Sequence, residues 1–391
     1  MPHLNNSNNI IRLMVIDEEV LVRQLISRVL RDDKKIEIVG TYSSISNISD
    51  TISKAEPDIV LLDISGKKVN GMDTLAEINR LFPLLPIIVL SERTEHGANK
   101  ALEAVEDGAW DFITKPEKQG IILFADRHFR KRLGPFIKSA VKAHRLLWKD
   151  LQEKKVRGQV KEVASFQEIP VKHKIDIVVM GGCSGGPKAL LNIIPRLPAD
   201  FPVPVIVSQH MPKIYTKVFA EKLNKLSHIQ VDEAYAGARL YPGHVWIAPG
   251  GYHIMIKSNG LENVISLHKG PRENTCRPSI DILFRSAADV YGSNVLGVLL
   301  SGRGRDGVLG SRYIHSNGGQ ILVQDRSSSL TWELPEVIVE MNLAHGILPL
   351  DQMAAGIIDV ITESQEVSVG YSGNNKSTLN SGGSEHLSTS Y

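Results

Sequence analysis

The chain is predicted to be an α/β protein with two doubly wound sheets, one after the other. From Ile10 onward short apolar runs alternate with amphipathic helical stretches, the pattern of strand and crossover helix in a parallel sheet. A length of 391 residues exceeds one ordinary domain and suits two. The second series opens on Asp176-Ile-Val-Val-Met-Gly-Gly-Cys-Ser-Gly-Gly-Pro-Lys-Ala-Leu190, a buried-strand run that breaks on four glycines around Cys183 and Ser184 and restarts as a helix at Pro187.

Composition narrows the function classes. A net charge of +2 gives no global reason to expect nucleic acid or a membrane surface as partner. The two cysteines, Cys183 and Cys276, argue against a disulfide framework and fit a reducing compartment. The first residues lack the basic and apolar regions of a signal peptide. No apolar run reaches the roughly 18 residues of a membrane helix. The expectation is a cytoplasmic protein without direct membrane insertion.

In the first series, strands are expected at 11–16, 36–40, 58–62, 86–90 and 110–114. Polar function in such sheets gathers just beyond the carboxyl ends of strands. Those positions hold Asp17 and Glu18, then Asp63, then Ser91, then Lys115 followed by Pro116. Acids converging there repel one another unless a cation sits among them, and oxygen ligands of this kind suit Mg²⁺. Lys115 and Ser91 could hold a phosphoryl group on Asp63, which would make it a phospho-acceptor with a switch. Any single acid at a strand end is most simply a solvated loop residue; the whole set in register is not.

With these residues, the segment from 11 to about 125 resembles the receiver domain of response regulators, a flavodoxin-like fold. The resemblance implies that Asp63 accepts a phosphoryl group from a histidine kinase. It also implies that Asp17, Glu18 and Asp63, with the carbonyl of Ser65, hold Mg²⁺. Glu18 stands where aspartate is usual, and Ser65-Gly66-Lys67-Lys68 replaces a stretch that usually contains Met-Pro.

Between Arg127 and Lys161 there are 12 Lys or Arg against only Asp150 and Glu153, interleaved with Phe129, Phe136, Leu146, Leu147 and Trp148. The apolar spacing is helical, so the last receiver helix should run into a linker helix whose charges are a solvated face or dock to an acidic partner. Residues 159–173 are polar and aperiodic and read as linker. The expected units are a receiver at 10–128, a basic helical linker at 129–173, a catalytic domain at 174–363 and a disordered tail at 364–391.

Further strands are expected at 203–209, 228–233, 244–248, 252–257, 263–267, 294–300 and 319–324, in a larger, mainly parallel sheet with an antiparallel hairpin around Ser258-Asn-Gly260. The turn at Cys183 and Ser184 puts a thiol and a hydroxyl at a helix N-terminus, where free N–H groups add partial positive charge. A phosphate cradle and a purely structural turn compete with a nucleophile there, although the G-x-G-x-x-G fingerprint is absent. Two more strand ends carry His210, in Gln-His-Met-Pro, and Asp306, in Ser301-Gly-Arg-Gly-Arg-Asp-Gly. Nucleophile, histidine and carboxylate at one sheet edge form a triad arrangement, defined by roles rather than chain order.

Residues 174 to about 362 resemble the catalytic domain of the chemotaxis protein-glutamate methylesterases, the CheB family. The matching stretches are Gly-Gly-Cys-Ser-Gly-Gly-Pro, Gln-His-Met-Pro, Ile-Ala-Pro-Gly-Gly-Tyr-His253, Arg277-Pro-Ser-Ile-Asp281, Leu300-Ser-Gly-Arg-Gly-Arg-Asp306-Gly and Val323-Gln-Asp325. The resemblance implies a cofactor-free hydrolase that demethylates glutamate methyl esters and deamidates glutamines on methyl-accepting chemotaxis receptors, with His210 and Asp306 in the family's catalytic roles. Cys183 falls on the position of the family's serine and Ser184 on the threonine beside it, so either is the candidate nucleophile. Arg303 stands where methionine is usual beside the oxyanion site, and could support or block catalysis. A phospho-responsive binding module without hydrolysis is the competing reading.

Overall fold

Runs that are apolar throughout become strands covered on both faces, as parallel sheets require. The computed structural model describes residues 10–66, 70–116, 127–156, 169, 171 and 173–373. The first unit runs β1 (Ile11–Ile16), α1 (Val20–Leu30), β2 (Ile36–Tyr42), α2 (Ile48–Ala55), β3 (Ile59–Asp63), α3 (Gly71–Leu81), β4 (Ile87–Ser91), α4 (Glu95–Glu106), β5 (Asp111–Thr114) and α5 (Arg127–Val156). Its sheet has the order β2-β1-β3-β4-β5, with every pair parallel.

The second unit runs β6 (Ile177–Gly182), α6 (Gly186–Ile193), β7 (Val205–Gln209), α7 (Lys213–Leu226), β8 (Gln230–Glu233), β9 (His244–Ile247), β10 (His253–Ser258), β11 (Asn263–His268), α8 (Ile280–Tyr291), β12 (Val295–Leu299), α9 (Val308–Ser316), β13 (Gln320–Gln324), α10 (Glu333–Glu340), β14 (Gly346–Leu348) and α11 (Leu350–Gly373). Seven strands pair in the order β14-β13-β12-β6-β7-β9-β8, all parallel. The chain leaves β6 toward β7 on one side and returns to β12 on the other, so the crevice between β6 and β12 is the switch point where open α/β sheets place their sites. The hairpin of β10 and β11 is a separate two-stranded sheet. The three-residue β14 was not expected, because three residues carry no periodicity.

Helix α5 begins inside the stretch expected to be receiver and continues through the expected linker. Phe129, Leu133, Phe136, Ile137, Ala140 and Val141 form one buried stripe against α1 and the receiver sheet. The basic residues are partly paired: Lys138 Nζ lies 2.5 Å from Asp33 and Arg145 lies 3.3 Å from Asp58. Most of the expected 159–173 linker lies outside the described residues, but Ile169 is buried and packs at Gly346 of β14.

The tail expected to be disordered from Ser364 instead starts as the last turns of α11. Ser364 is buried, and Gln365 Nε2 donates to the Ile175 carbonyl at 2.9 Å, which ties this part of the helix to the segment leading into β6. The rest of the expected tail, 374–391, lies outside the described residues.

One apolar cluster runs from the receiver through α4 into α6, α7 and the second sheet, so the two units share a core surface. No helix among the described residues is long and apolar enough to cross a membrane.

Candidate functional site

The strand β6 ends in two glycines because Gln209, at the end of β7, fills the space where side chains would stand. A Cβ on Gly182 would meet Gln209 Oε1 at 2.4 Å and one on Gly186 at 2.0 Å. Gln209 Nε2 donates to the Cys183 carbonyl at 2.8 Å, and Ser301 Oγ donates to the Ser184 carbonyl at 2.8 Å. Gly185 has φ +81°, which glycine adopts freely. The turn is therefore clamped between the ends of β7 and β12, with Cys183 at its apex.

The structure brings Cys183, His210 and Asp306 together. His210 Nε2 lies 2.7 Å from Asp306 Oδ2, which leaves Nδ1 for sulfur. The hydrogen-bond partners of the ring are Asp306, Cys183 and Cys276. Of the two nucleophile candidates, Cys183 is thus the one that engages the histidine; Ser184 is buried, and its carbonyl is tied to Ser301.

The electrostatics follow from these contacts. Burial alone would raise the Cys183 thiol, but His210, the Arg303 backbone N–H and Arg132 bring it down from 9.0 to about 6. Burial disfavours charged His210, but Cys183 and the bond to Asp306 hold it well above its ordinary range. Asp306 is kept below the usual carboxylate range despite its burial, because His210, Ser279 and Ile280 favour the anion. Thiolate beside imidazolium is the resulting state.

Asp306 is fixed by the N-terminus of α8. Its carboxylate accepts from Ser279 Oγ at 2.6 Å, Ile280 N at 2.8 Å and Asp281 N at 3.2 Å. Asp281 returns the arrangement to α9, accepting from Gly307 N at 2.9 Å and Gly310 N at 2.6 Å. Burial and the nearby Asp306 push Asp281 up to about 6. This is the structural use of the Arg277-Pro-Ser-Ile-Asp281 stretch.

Arg303 reaches the nucleophile through its main chain, which any side chain would supply. Its side chain lines a cavity under α5 with Pro135, Lys138, Ser139, Lys142 and Glu333.

At the receiver edge, Lys115 Nζ stands between two acids, 2.9 Å from Asp17 Oδ2 and 2.8 Å from Asp63 Oδ2, with Glu19 at 3.3 Å. Burial and Asp63 raise Asp17 to about 6 against the pull of Lys115. Asp17, Glu18 and Asp63 line one small cavity with Gly66, and these hard oxygen donors fit Mg²⁺. Their ligand atoms do not converge: the only set of three His, Cys, Asp or Glu ligand atoms within 4.8 Å of one another among the described residues is His210, Cys276 and Asp306. Ser65 N donates to Asp63 Oδ1 at 2.8 Å. Ser91 Oγ donates to the Gly97 carbonyl at 2.6 Å.

Sequence reasoning passed over three residues: Asp111 and Tyr215 join the two edges, and Cys276 stands beside His210 within the catalytic edge. The buried Asp111 of β5 reaches across to the catalytic turn, where its Oδ2 accepts from Gly185 N at 3.2 Å. Burial, reinforced by Cys183, pushes its carboxyl up to about 7. Tyr215, in α7, stacks on Phe112 at 5.0 Å, and its hydroxyl is 2.9 Å from Ser91 Oγ and 2.8 Å from the Glu92 carbonyl. Cys276 lies 3.6 Å from His210 Nδ1. An acid opening a buried strand was the available signal for Asp111; Cys276 stood directly before a matched stretch; Tyr215 carried no signal.

Comparison with known proteins agrees in both halves. The family model CheB methylesterase matches residues 178–357, and the response regulator receiver domain matches residues 13–125. A protein-glutamate methylesterase/protein-glutamine glutaminase of Trichodesmium erythraeum is 38% identical over 350 residues, which cover 89% of this chain and 98% of that one. A protein of the same name from Syntrophotalea carbinolica is 35% identical over 354 residues, covering 90% and 98%. Among solved structures, the catalytic domain of Thermotoga maritima CheB methylesterase is 35% identical, covers 48% of this chain and 99% of that one, and has a TM-score of 0.47.

Proposed function

The chain belongs to the CheB methylesterase family, and from that premise we propose that it is a receiver-controlled protein-glutamate methylesterase and protein-glutamine glutaminase whose nucleophile is Cys183. The observation that carries this is the sharing of His210 between the Cys183 thiol and Asp306. The Cys183 thiolate attacks the γ-carbonyl of a methylated glutamate. His210 gives its Nδ1 proton to the departing methoxide, and methanol leaves a thioester. His210, now neutral, takes a proton from water as it attacks, and the thiolate is released with the free carboxylate. With glutamine as substrate the leaving group is ammonia. Asp306 holds the imidazole by Nε2 throughout. Backbone N–H groups of the Gly-rich turn, Gly185 among them, hold the oxyanion.

The substrates are methyl-accepting chemotaxis receptors and the phosphodonor is a chemotaxis histidine kinase, in the cytoplasm. Asp63 accepts the phosphoryl group, and Asp17, Glu18 and Asp63 would hold Mg²⁺, which supplies charge neutralisation to the phosphoryl oxygens when bound. In the unphosphorylated protein Asp111 occupies the Gly185 N–H, one of the donors that the oxyanion needs. Ser91 links this to phosphorylation. A hydroxyl turned to the phosphoryl group gives up its place beside Tyr215, which loosens the end of β4 from α7 and withdraws Asp111 on the paired β5.

Methanol release from methylated receptor tests the nucleophile. Loss in Cys183→Ala with retention in Ser184→Ala is expected; the reverse pattern removes Cys183 from the role, and release unchanged by either removes the triad. The binding-module reading gains nothing from Arg303, whose hydrogen bond to Cys183 comes from the backbone.

A further inference from the structure

The stretch Ile247-Ala-Pro-Gly-Gly-Tyr-His253 takes no part in the proton transfers described above, yet its turn lies against two segments that meet at His210. On one side it touches the chain that follows His210. A Cβ on Gly250 would stand 2.5 Å from the Pro212 carbonyl carbon and 2.6 Å from the Met211 carbonyl oxygen, so only glycine lets the two backbones close to this distance. On the other side, Gly251 N donates to the Arg277 carbonyl at 3.1 Å. Arg277 follows Cys276, whose sulfur lies 3.6 Å from His210 Nδ1.

Two side chains fasten this turn. Gly250 N donates to Thr216 Oγ1 at 3.0 Å. Thr216 Oγ1 in turn lies 2.6 Å from Glu233 Oε1 and 2.8 Å from the Lys213 carbonyl oxygen. A hydroxyl has one proton to give, and a carboxylate is the stronger acceptor. Backbone amide, hydroxyl and carboxylate therefore form one chain of donors ending on Glu233. Thr216 is fully buried, and its own N–H donates to the Pro212 carbonyl at 3.1 Å. One residue thus ties both the start of α7 and the Gly250 turn to the chain that carries His210. A buried amide that loses its acceptor is costly, so without the hydroxyl the turn shifts.

We propose that Thr216 and Glu233 are positioning residues for His210: they hold the Gly250 turn against residues 211–213 and so keep the imidazole aligned with Cys183 and Asp306. The ring's own hydrogen bonds go to Asp306, Cys183 and Cys276, so both residues act through the backbone. The consequence for turnover rests on the esterase reading above; the alignment does not.

The test compares Thr216→Val, which keeps the shape and removes the hydroxyl, with Thr216→Ser, which keeps the hydroxyl, in the full chain. Thr216→Val should lower kcat for methanol release about tenfold with KM unchanged, since a 1 Å misplacement costs roughly 10²-fold and this shift is smaller. Thr216→Ser should stay within about twofold of wild type on the same scale. A second readout needs no ester: alkylation of Cys183 by iodoacetamide, followed on its own peptide, reports the thiolate against pH. In the wild type it should rise through pH about 6. In Thr216→Val the midpoint should move upward toward the ordinary thiol value of 9.0, because a displaced imidazolium supports the thiolate less; in Thr216→Ser it should stay. Glu233→Ala removes the same support from its half-buried end and should reproduce both changes, so the result does not hang on one buried substitution. Wild-type kcat with an unmoved midpoint in Thr216→Val and Glu233→Ala overturns the proposal, as does a loss that Thr216→Ser shows equally. A midpoint that moves in Thr216→Val, in a protein whose wild type releases no methanol, upholds the positioning role and overturns the esterase reading instead.

Discussion

Two carboxyl edges of two parallel sheets face chemistry in this molecule, and they treat a buried carboxylate in opposite ways. In the receiver, Asp63 accepts from Ser65 N and faces Lys115, so its oxygens keep lone pairs for a reaction. In the catalytic domain, Asp306 accepts from Ser279, Ile280, Asp281, Asn274 and His210. It has no capacity left for bond making, and its charge is spent on holding one imidazole. The difference is in the donors around each group, not in the side chain. A carboxylate that shares one lysine with other acids stays reactive, while one saturated at a helix N-terminus becomes a fixed electrostatic support.

The largest expected effect tests whether the catalytic edge is the only hydrolytic one. Cys183→Ala should lower methanol release by roughly 10⁴-fold or more, leaving what binding alone supplies. Ser184→Ala should cost less than about tenfold, since removing a group outside the relay takes away little transition-state stabilisation.

Exchanging the two acids for amides sharpens the contrast. Asp306→Asn presents the wrong partner to His210 Nε2, and by analogy with a triad aspartate the turnover should fall by roughly 10³–10⁴-fold with the fold intact. Asp63→Asn should leave the basal rate unchanged and abolish activation by a small-molecule phosphodonor. A mutant still activated by the phosphodonor would break the comparison at its receiver side.

The pH profile separates thiolate from hydroxyl catalysis. With Cys183 lowered to about 6 and His210 raised well above its ordinary range, the active pair is thiolate with imidazolium. The rate should therefore rise as pH climbs through about 6, hold a plateau, and fall only where His210 loses its proton. A serine activated by neutral His210 would instead gain rate only on that higher limb.

A smaller effect concerns Asp111. Its folded carboxyl is raised to about 7, so its protonated form favours the docked state; that contribution is complete below the unfolded value near 3.9 and is lost as pH rises through about 7. In urea unfolding between about pH 5 and about pH 8, the wild type should lose stability relative to Asp111→Asn as pH increases. Smallest is Tyr215→Phe, which keeps the ring stack on Phe112 and removes the hydroxyl. A net hydrogen bond of about 1 kcal/mol predicts a rise of roughly fivefold in basal activity of the unphosphorylated protein.

Much of the architecture was legible in the chain because its strands are wholly buried. Apolar runs such as 59–62 and 177–180 admit few other readings, and function follows at their carboxyl ends, where Asp63 and Cys183 stand. The elements that were misread are those whose signal is not local. The strand β14 is three residues long, and its place is set by pairing with β13. For helix α5 the helical continuity from receiver into linker was legible, but how far its stripe belongs to the receiver core was set by packing against α1 and the receiver sheet. Helix α11 runs past Ser364, where Gln365 bonds the Ile175 carbonyl.

From the amino-acid sequence alone came two parallel-sheet units, their order, and the strand ends that carry Asp63, Cys183, His210 and Asp306, since burial, glycine turns and strand-end polarity are written in neighbouring residues. The choice between adjacent Cys183 and Ser184 was not, because it depends on which side chain the imidazole meets. Nor were the reach of Asp111 to Gly185, the seat of Tyr215 on Ser91, or the approach of Cys276 to His210. Each joins residues 66 or more positions apart, and only the docking of the two sheets and the closure of their loops brings such groups within hydrogen-bond distance.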